Sequence, residues 1–485
     1  MRGSSVDALL LTIVKVVTTL IGLICIKIIS VYFSLDSYGL YSQAILIVST
    51  VTSLIILGMT DAVNFFYNNK SQNNDYSRKQ YLSTIFTIEG AAGIIGGIAI
   101  LAFSPLLTTY FKNPSLWGVY GWIAFQPLFQ CIFNMLQVLY ISVGRTKSIL
   151  ILNLVMAVAR LCIIISAALI TKSIITILAF TFICDIAQVA YLIIDLRRNN
   201  VKISILDFKK ELCSPVLRFA VPMAAYVLIN TLLRDSDKWV VGYFGTTNDL
   251  AVYTNCSRVL PFDMLIMSFY TILVPIITRY ISNDREQAAQ LFGHYLNLGI
   301  LTTSILVIPA IIFSRDLLLL LYSPQYLSGL YIFIIYLFVD FCRFANISLI
   351  FSASGHTKKL LYIVIATFFA NLISAIVLYK FLGLAGPALS TLICLIGSTI
   401  MYMAGSSKIL KQSVFRLLNL RKAIFIIVQA IALGIIIKFA TDHYISSWDP
   451  IPRFMLCYSA TAIIVTAFNY QPILHLAKSI NQAGK

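Results

Sequence analysis

The chain is a succession of apolar runs, each about as long as the 20 residues an α-helix needs to cross the hydrocarbon core of a bilayer. They lie near 8–30, 38–66, 81–104, 117–140, 149–170, 174–194, 216–236, 250–278, 290–313, 329–351, 360–380, 385–404, 423–441 and 453–470, fourteen in all. Charge is correspondingly scarce. Only 11% of the residues are charged and 59% are hydrophobic, whereas an ordinary soluble chain is roughly 25% charged. So little charge cannot cover a globule of 485 residues with solvated surface. A soluble enzyme, a disordered chain and a nucleic-acid-binding domain are thereby excluded. The expected fold is an all-α polytopic membrane protein with about 14 transmembrane helices.

The formal net charge of +17 serves orientation rather than nucleic-acid binding. With the N-terminus in the cytoplasm, the inner segments hold 22 Lys and Arg, and the outer loops hold only Lys112, Lys172, Arg315 and Lys380. The positive-inside bias therefore predicts a multi-pass protein with both termini cytoplasmic. Met1–Asp7 leads straight into a full-length apolar run, so no cleavable signal is expected. Eight of the nine cysteines lie inside apolar runs, where a thiol behaves as a small hydrophobe, and Cys213 falls on a loop. No pair has metal-ligand spacing. The stretch 405–422 mixes Lys and Arg with apolar residues and reads as an interfacial amphipathic helix that anchors a linker.

Three places echo one another at nearly one offset. Tyr140–Leu150 (YISVGRTKSIL) resembles Phe351–Leu361 (FSASGHTKKLL) at 211 residues, and Gly39–Ser42 resembles Ala251–Thr254 at 212. Phe103, Ser104 and Pro114 match Phe313, Ser314 and Pro324 at 210. The offset spans six helices, an even number, so both copies share one orientation. That predicts two six-helix bundles related by a pseudo-twofold along the membrane normal, with two extra C-terminal helices. The expected divisions are 1–200, 201–404, the basic linker 405–422, and 423–485 with the last two helices and a cytoplasmic tail. Two such halves with a cavity between them are a transporter architecture.

Polar groups inside the spans narrow the reading further. A charge at a helix centre in the membrane costs about 2.5–3.5 kcal/mol or more and faces a cavity or a partner. Ten basic residues lie in or near the spans: Lys15, Lys27, Arg160, Arg218, Arg234, Lys238, Arg258, Arg343, Lys438 and Arg453. Some near helix ends, such as Arg453, can snorkel. The acids there are fewer: Asp61, Glu89, Asp185, Asp235, Asp237, Asp263 and Asp340. Asp340 with Arg343, Arg234 with Asp237 and Lys238 with Asp235 have intrahelical pairing distance. Gln126, Gln130, Asn134 and Gln137 form one stripe on the fourth span, suited to hydroxyl-rich cargo or to helix–helix hydrogen bonds. Gly90, Gly93, Gly96 and Gly97 read as packing positions. No catalytic constellation is present; Gly144–Lys147 lacks the second glycine and the strand of a P-loop.

Asp36–Ser42 (DSYGLYS), the paired GRTK of 144–147 and GHTK of 355–358, and Arg234–Trp239 (RDSDKW) with Leu250–Tyr253 (LAVY) carry a family resemblance. The chain resembles the polysaccharide transport family of the multidrug/oligosaccharidyl-lipid/polysaccharide flippase superfamily, with its MATE-like fold. The resemblance implies transfer of a polyprenyl-pyrophosphate-linked oligosaccharide, such as an O-antigen unit, to the outer leaflet of the bacterial cytoplasmic (inner) membrane. It implies proton or sodium antiport and no cofactor beyond that ion. Membrane lipids and the polysaccharide polymerase and ligase machinery would be its partners, and a monomer suffices. On depth and periodicity, Lys15, Lys27, Arg160, Arg234 and Lys238, extended by Arg258 and Arg343, are the expected pyrophosphate site. Gln126, Gln130, Asn134 and Gln137 are expected to contact sugar, and Asp61, Glu89 or Asp185 to carry the coupling ion. No metal site is expected. Two alternatives stand beside this reading. An ion-coupled multidrug exporter would call for excess carboxylates, and a membrane glycosyltransferase or polymerase would need a larger loop for its chemistry.

Overall fold

The computed structural model describes residues 2–68, 76–199, 203, 207–445 and 447–483, and every regular element among them is a helix. The first ten α-helices are α1 (Arg2–Tyr32), α2 (Leu35–Ile55), α3 (Met59–Asn68), α4 (Arg78–Ala102), α5 (Ser104–Phe111), α6 (Tyr120–Ile123), α7 (Gln126–Ser142), α8 (Thr146–Ser166), α9 (Ile174–Arg198) and α10 (Cys213–Phe244). They are followed by α11 (Thr247–Cys256), α12 (Met264–Asn283), α13 (Arg285–Ile312), α14 (Ser314–Leu321), α15 (Leu330–Cys342) and α16 (Leu349–Ala353). The chain ends with α17 (Thr357–Leu382), α18 (Ala385–Leu410), α19 (Val414–Leu417), α20 (Leu420–Tyr444), α21 (Pro450–Phe468) and α22 (Tyr470–Ala483). Among the described residues, 12 helical segments are long and apolar enough to cross a membrane, and α10, which bends, makes a thirteenth. α12, with 20 residues, occupies the remaining expected position.

Four of the expected continuous spans are broken, among them 117–140, which changes helix at Ala124 and Phe125 between α6 and α7. The second stops at Ile55, turns through Leu57 and Gly58 with φ of 43° and 69°, and resumes as α3. A Cβ on Gly58 would run into the backbone of Ala220 on α10, so the close approach of α10 requires glycine at this turn. The eighth breaks between α11 and α12, where the backbone N–H of Leu260 donates to Asp340 Oδ2 at 3.0 Å. The tenth breaks after Cys342, and Arg343 caps the end of α15. The linker also differs from expectation. α18 continues through Lys408 to Leu410, Lys411 turns left-handed at φ 54°, and only four residues form α19. Cys213, expected on a loop, opens α10.

Local geometry repeats at the offset seen in the sequence. Gly144 and Gly355 take left-handed φ of 81° and 72°, and Thr146 and Thr357 then open α8 and α17. α5 is followed by a 3-10 turn at Pro114–Gly118, and α14 by one at Pro324–Gly329.

Contacts divide the chain into two compact units, Met1–Ala251 and Val252–Lys485. α10 thus packs with the first unit, on α2 and α3. The first core gathers Met59, Ile85, Leu136, Tyr140, Leu192 and Val216 around α3, α4, α7 and α9. The second gathers Leu273, Phe292, Tyr295, Leu296, Ile350 and Met403 around α13. Lipid is as apolar as leucine, so close packing and polar bonds do the holding here. The α17–α18 hairpin illustrates both. Gly386 brings the two backbones together at Leu378, and Ser390 Oγ donates to Asn371 Oδ1 at 2.7 Å. Gly93, Gly96 and Gly97 lie against Leu128, Ile55 and Phe125, whereas nothing faces Gly90.

Candidate functional site

The first unit contains a polar centre to which four helices contribute. Asp185 on α9 is 5% exposed. Arg160 on α8 donates from Nη2 to its Oδ1 at 2.6 Å. Gln126, at the start of α7, donates from Nε2 to its Oδ2 at 3.2 Å, and Gln130, one turn later, also reaches the carboxylate. Thr52 Oγ1 on α2 donates to Gln130 Oε1 at 3.3 Å. A buried carboxylate needs this many partners because burial without them costs several kcal/mol. The three roles expected separately, anion-binding Arg160, ion-coupling Asp185 and sugar-binding Gln126 and Gln130, therefore meet in one cluster. Asn134 and Gln137 continue the stripe and are half-buried.

Glu89 on α4 contrasts with Asp185. Its side chain is 0% exposed, and both carboxylate oxygens are buried without a hydrogen-bond partner of ordinary geometry. The Cys131 thiol lies beside it, and that thiol also donates to Thr52 O at 3.6 Å. Asp61, in the first turn of α3, is half-buried.

A second cluster lies on α10. Asp235, 5% exposed, accepts from Arg234 Nη2 at 3.0 Å and Lys238 Nζ at 2.8 Å, and Ser49 Oγ on α2 donates to it at 3.3 Å. Trp239 Nε1 donates to Thr50 Oγ1 at 3.1 Å, which ties the same stretch of α10 to α2. The expected Lys238–Asp235 pair is present, and Arg234 takes Asp235 rather than Asp237. The two cations share one carboxylate, and Asp237, 1% exposed, lies in the same stretch, so the cluster balances two acids against two bases, with the Arg234 side chain exposed and Lys238 half-buried.

The other expected cations are dispersed. Lys15 is exposed on α1 and Lys27 is half-buried further along the same helix. Arg258 and Arg343 belong to the second unit, each at a helix break. Arg453, expected to snorkel, donates to Asp316 Oδ1 at 2.7 Å and ties α21 to α14. Lys438 Nζ donates to Ile312 O at 3.2 Å. Sequence reasoning gives no role to Thr52, Cys131, Ser49 or Asp316 in these clusters. Each acts across a long chain separation, and a single Ser, Thr or Cys in a span carries no periodic signal. Among the described residues, no three His, Cys, Asp or Glu stand together as a metal site.

The GRTK motif has a structural role. Arg145 donates from Nη1 to Asp195 Oδ2 at 2.7 Å and from Nη2 to Asn199 Oδ1 at 2.7 Å. The Tyr140 hydroxyl donates to the same Asp195 oxygen at 2.7 Å. This staple closes the ends of α7 and α9. In the second copy His356 replaces the arginine and its Nδ1 meets Ser354 Oγ at 2.8 Å.

The sequence profile of the polysaccharide biosynthesis protein family matches residues 28–330, more than half of the chain. The chain belongs to that family. Comparison with curated proteins gives no match. Among solved structures, the lipid II flippase MurJ in an inward closed conformation aligns at TM-score 0.75 and 16% identity, over 96% of this chain and 100% of its own. The MATE multidrug transporter DinF-BH aligns at TM-score 0.58 and 16% identity, over 83% of this chain and 94% of its own. A MOP superfamily transporter from Pyrococcus furiosus, described as having a binding pocket of reverse polarity, aligns at TM-score 0.57 and 13% identity, over 84% and 95%. At these identities the likeness establishes the fold. It is the MATE-like fold, a multi-pass membrane architecture.

Proposed function

We propose that this member of the polysaccharide biosynthesis family is a flippase. It carries a polyprenyl-pyrophosphate-linked oligosaccharide from the cytoplasmic to the outer leaflet of a bacterial inner membrane by alternating access. The observation that carries the reading is the extent of the structural likeness. The match to the lipid II flippase covers 96% of the chain, and those to DinF-BH and the Pyrococcus furiosus transporter cover 83% and 84%. The difference, about 60 residues, is close to the length of 420–483, which holds α20 to α22, so the flippase is the better template for this chain.

Charge supports the same substrate class. Cations outnumber acids in the spans, which suits a pyrophosphate and not a cationic drug. In this reading Arg234 and Lys238 bind pyrophosphate, and Lys15, Lys27, Arg258 and Arg343 add to the cationic balance of the spans. Arg160 is held by Asp185 and acts as a positioning residue. Asn134 and Gln137 are the free part of the sugar-contacting stripe, since Gln126 and Gln130 are engaged with Asp185. Outward movement of negative charge gains about 2.3 kcal/mol per charge per 100 mV from a negative interior. Of the three acids that could carry a coupling proton or sodium ion, Glu89 is the best placed. Asp185 already has a cation, and Asp61 is only half-buried. A buried carboxylate beside nothing stronger than a thiol is the group for which a bound cation offsets the most.

The test is transport by purified protein in proteoliposomes, with a fluorescent polyprenyl-pyrophosphate oligosaccharide and a cationic dye side by side. Movement of the lipid-linked sugar alone is expected. Movement of the dye alone would replace this reading with a multidrug exporter.

A further inference from the structure

The stretch from the end of α18 into the start of α20 carries Lys408, Lys411, Arg416, Arg421 and Lys422 with no acid in 405–422. It is not loose. Asn297 on α13 donates from Nδ2 to Leu417 O at 3.3 Å and accepts from the backbone N–H of Asn419 on Oδ1 at 3.1 Å. Leu417 is 3% exposed, and Gly293 leaves room for its backbone. The chain at the start of α20 is thus held in a fixed pose against α13.

On the outer face of this scaffold lies a shallow groove lined by Asn419, Arg421, Lys422, Ile424, Phe425 and Val428. Arg421 and Lys422 are exposed and, among the described residues, form no ion pair with any carboxylate. The apolar residues continue the groove along a spanning helix, on a face that no other helix covers; Ile424, Phe425 and Val428 are all exposed. One end of the groove is cationic and the rest is a lipid-facing strip. A soluble anion would use only the first part, and a neutral lipid only the second. Clustered cations at the cytoplasmic end of a spanning helix attract anionic lipid.

We infer that this groove binds an anionic phospholipid of the inner leaflet, its phosphodiester on Arg421 and Lys422 and an acyl chain along Ile424, Phe425 and Val428. The inference goes beyond the flippase reading and does not depend on it.

Native mass spectrometry of the purified full-length protein tests it, with phosphatidylglycerol and phosphatidylcholine of identical chains titrated in turn. Phosphatidylglycerol should be retained about tenfold better, and R421Q/K422Q should remove that preference. K358Q/K359Q, which removes two exposed cations from the first turn of α17, should leave it intact. Equal retention of the two lipids would overturn the proposal. So would an unchanged preference in R421Q/K422Q, or an equal loss in K358Q/K359Q, which would mean bulk charge alone. Competitive displacement of phosphatidylglycerol by undecaprenyl pyrophosphate would also overturn it, and would make the groove a docking surface for the transported lipid.

Discussion

Arg160 on α8 and Asp185 on α9 form an ion pair of 2.6 Å within membrane-spanning helices, the carboxylate 5% exposed and the guanidinium side chain 43% exposed. Gln126 takes the other carboxylate oxygen. The arrangement lets a buried acid persist in an apolar setting, and it turns Arg160, in the interior of α8, toward a protein carboxylate.

Removing one partner of a buried pair costs about 3–5 kcal/mol, and less where one partner is half-exposed, so about 1–3 kcal/mol applies here. R160A should lower the apparent melting temperature in detergent by several degrees. Adding D185N should restore most of it, because no uncompensated charge then remains. Should R160A melt like the wild type and still block transport, the arginine touches cargo directly.

E89Q should separate coupling from transport. Glutamine keeps the shape of Glu89 and cannot exchange a cation, so protein level should be normal. Flipping in proteoliposomes should lose its acceleration by an imposed proton or sodium gradient, by about tenfold, while D61N keeps it. A gradient response of wild-type size in E89Q would place the coupling group elsewhere.

Two glycines on spanning helices should behave oppositely. Gly386→Ala forces a Cβ into the backbone of Leu378, which cannot yield without opening the α17–α18 hairpin. Gly90→Ala meets nothing within 4 Å and gains helix propensity of about 0.5–1 kcal/mol. Thermal unfolding of the two variants should fall below and match or exceed the wild type, respectively.

At the C-terminal end of α9, R145A should cost about 1 kcal/mol, since the pair with Asp195 is partly exposed. R145K should recover little. Lysine cannot hold Asp195 and Asn199 together at the two angles the guanidinium fork supplies. Melting curves of the two variants and of D195A check this, with near-equal losses expected if the staple is one unit.

Much of the helix inventory is legible because its cause is local. A run of apolar residues such as 149–170 has no way to satisfy its backbone in lipid except as a helix, whatever surrounds it. The repeat is legible for a related reason: the left-handed Gly144 and Gly355 mark the same turn before the same helix start. The breaks are not. Leu57–Gly58 interrupts an apolar run because α10 crosses there, and Leu260 leaves helix where Asp340 waits 80 residues away.

The candidate site divides in the same way. That Arg160, Asp185, Glu89, Gln126 and Gln130 would be costly in a membrane, and so would need partners or cargo, follows from the sequence by itself, as do the apolar runs and the basic linker. Which of them satisfy one another was decided only by tertiary structure. Asp185 acquired a cation and two amides from α8 and α7, and Glu89 on α4 acquired neither. Hydrophobic length is summed along one helix and can be read residue by residue. The pairing of buried charges depends on which helix faces which, and that is set by packing across the whole unit.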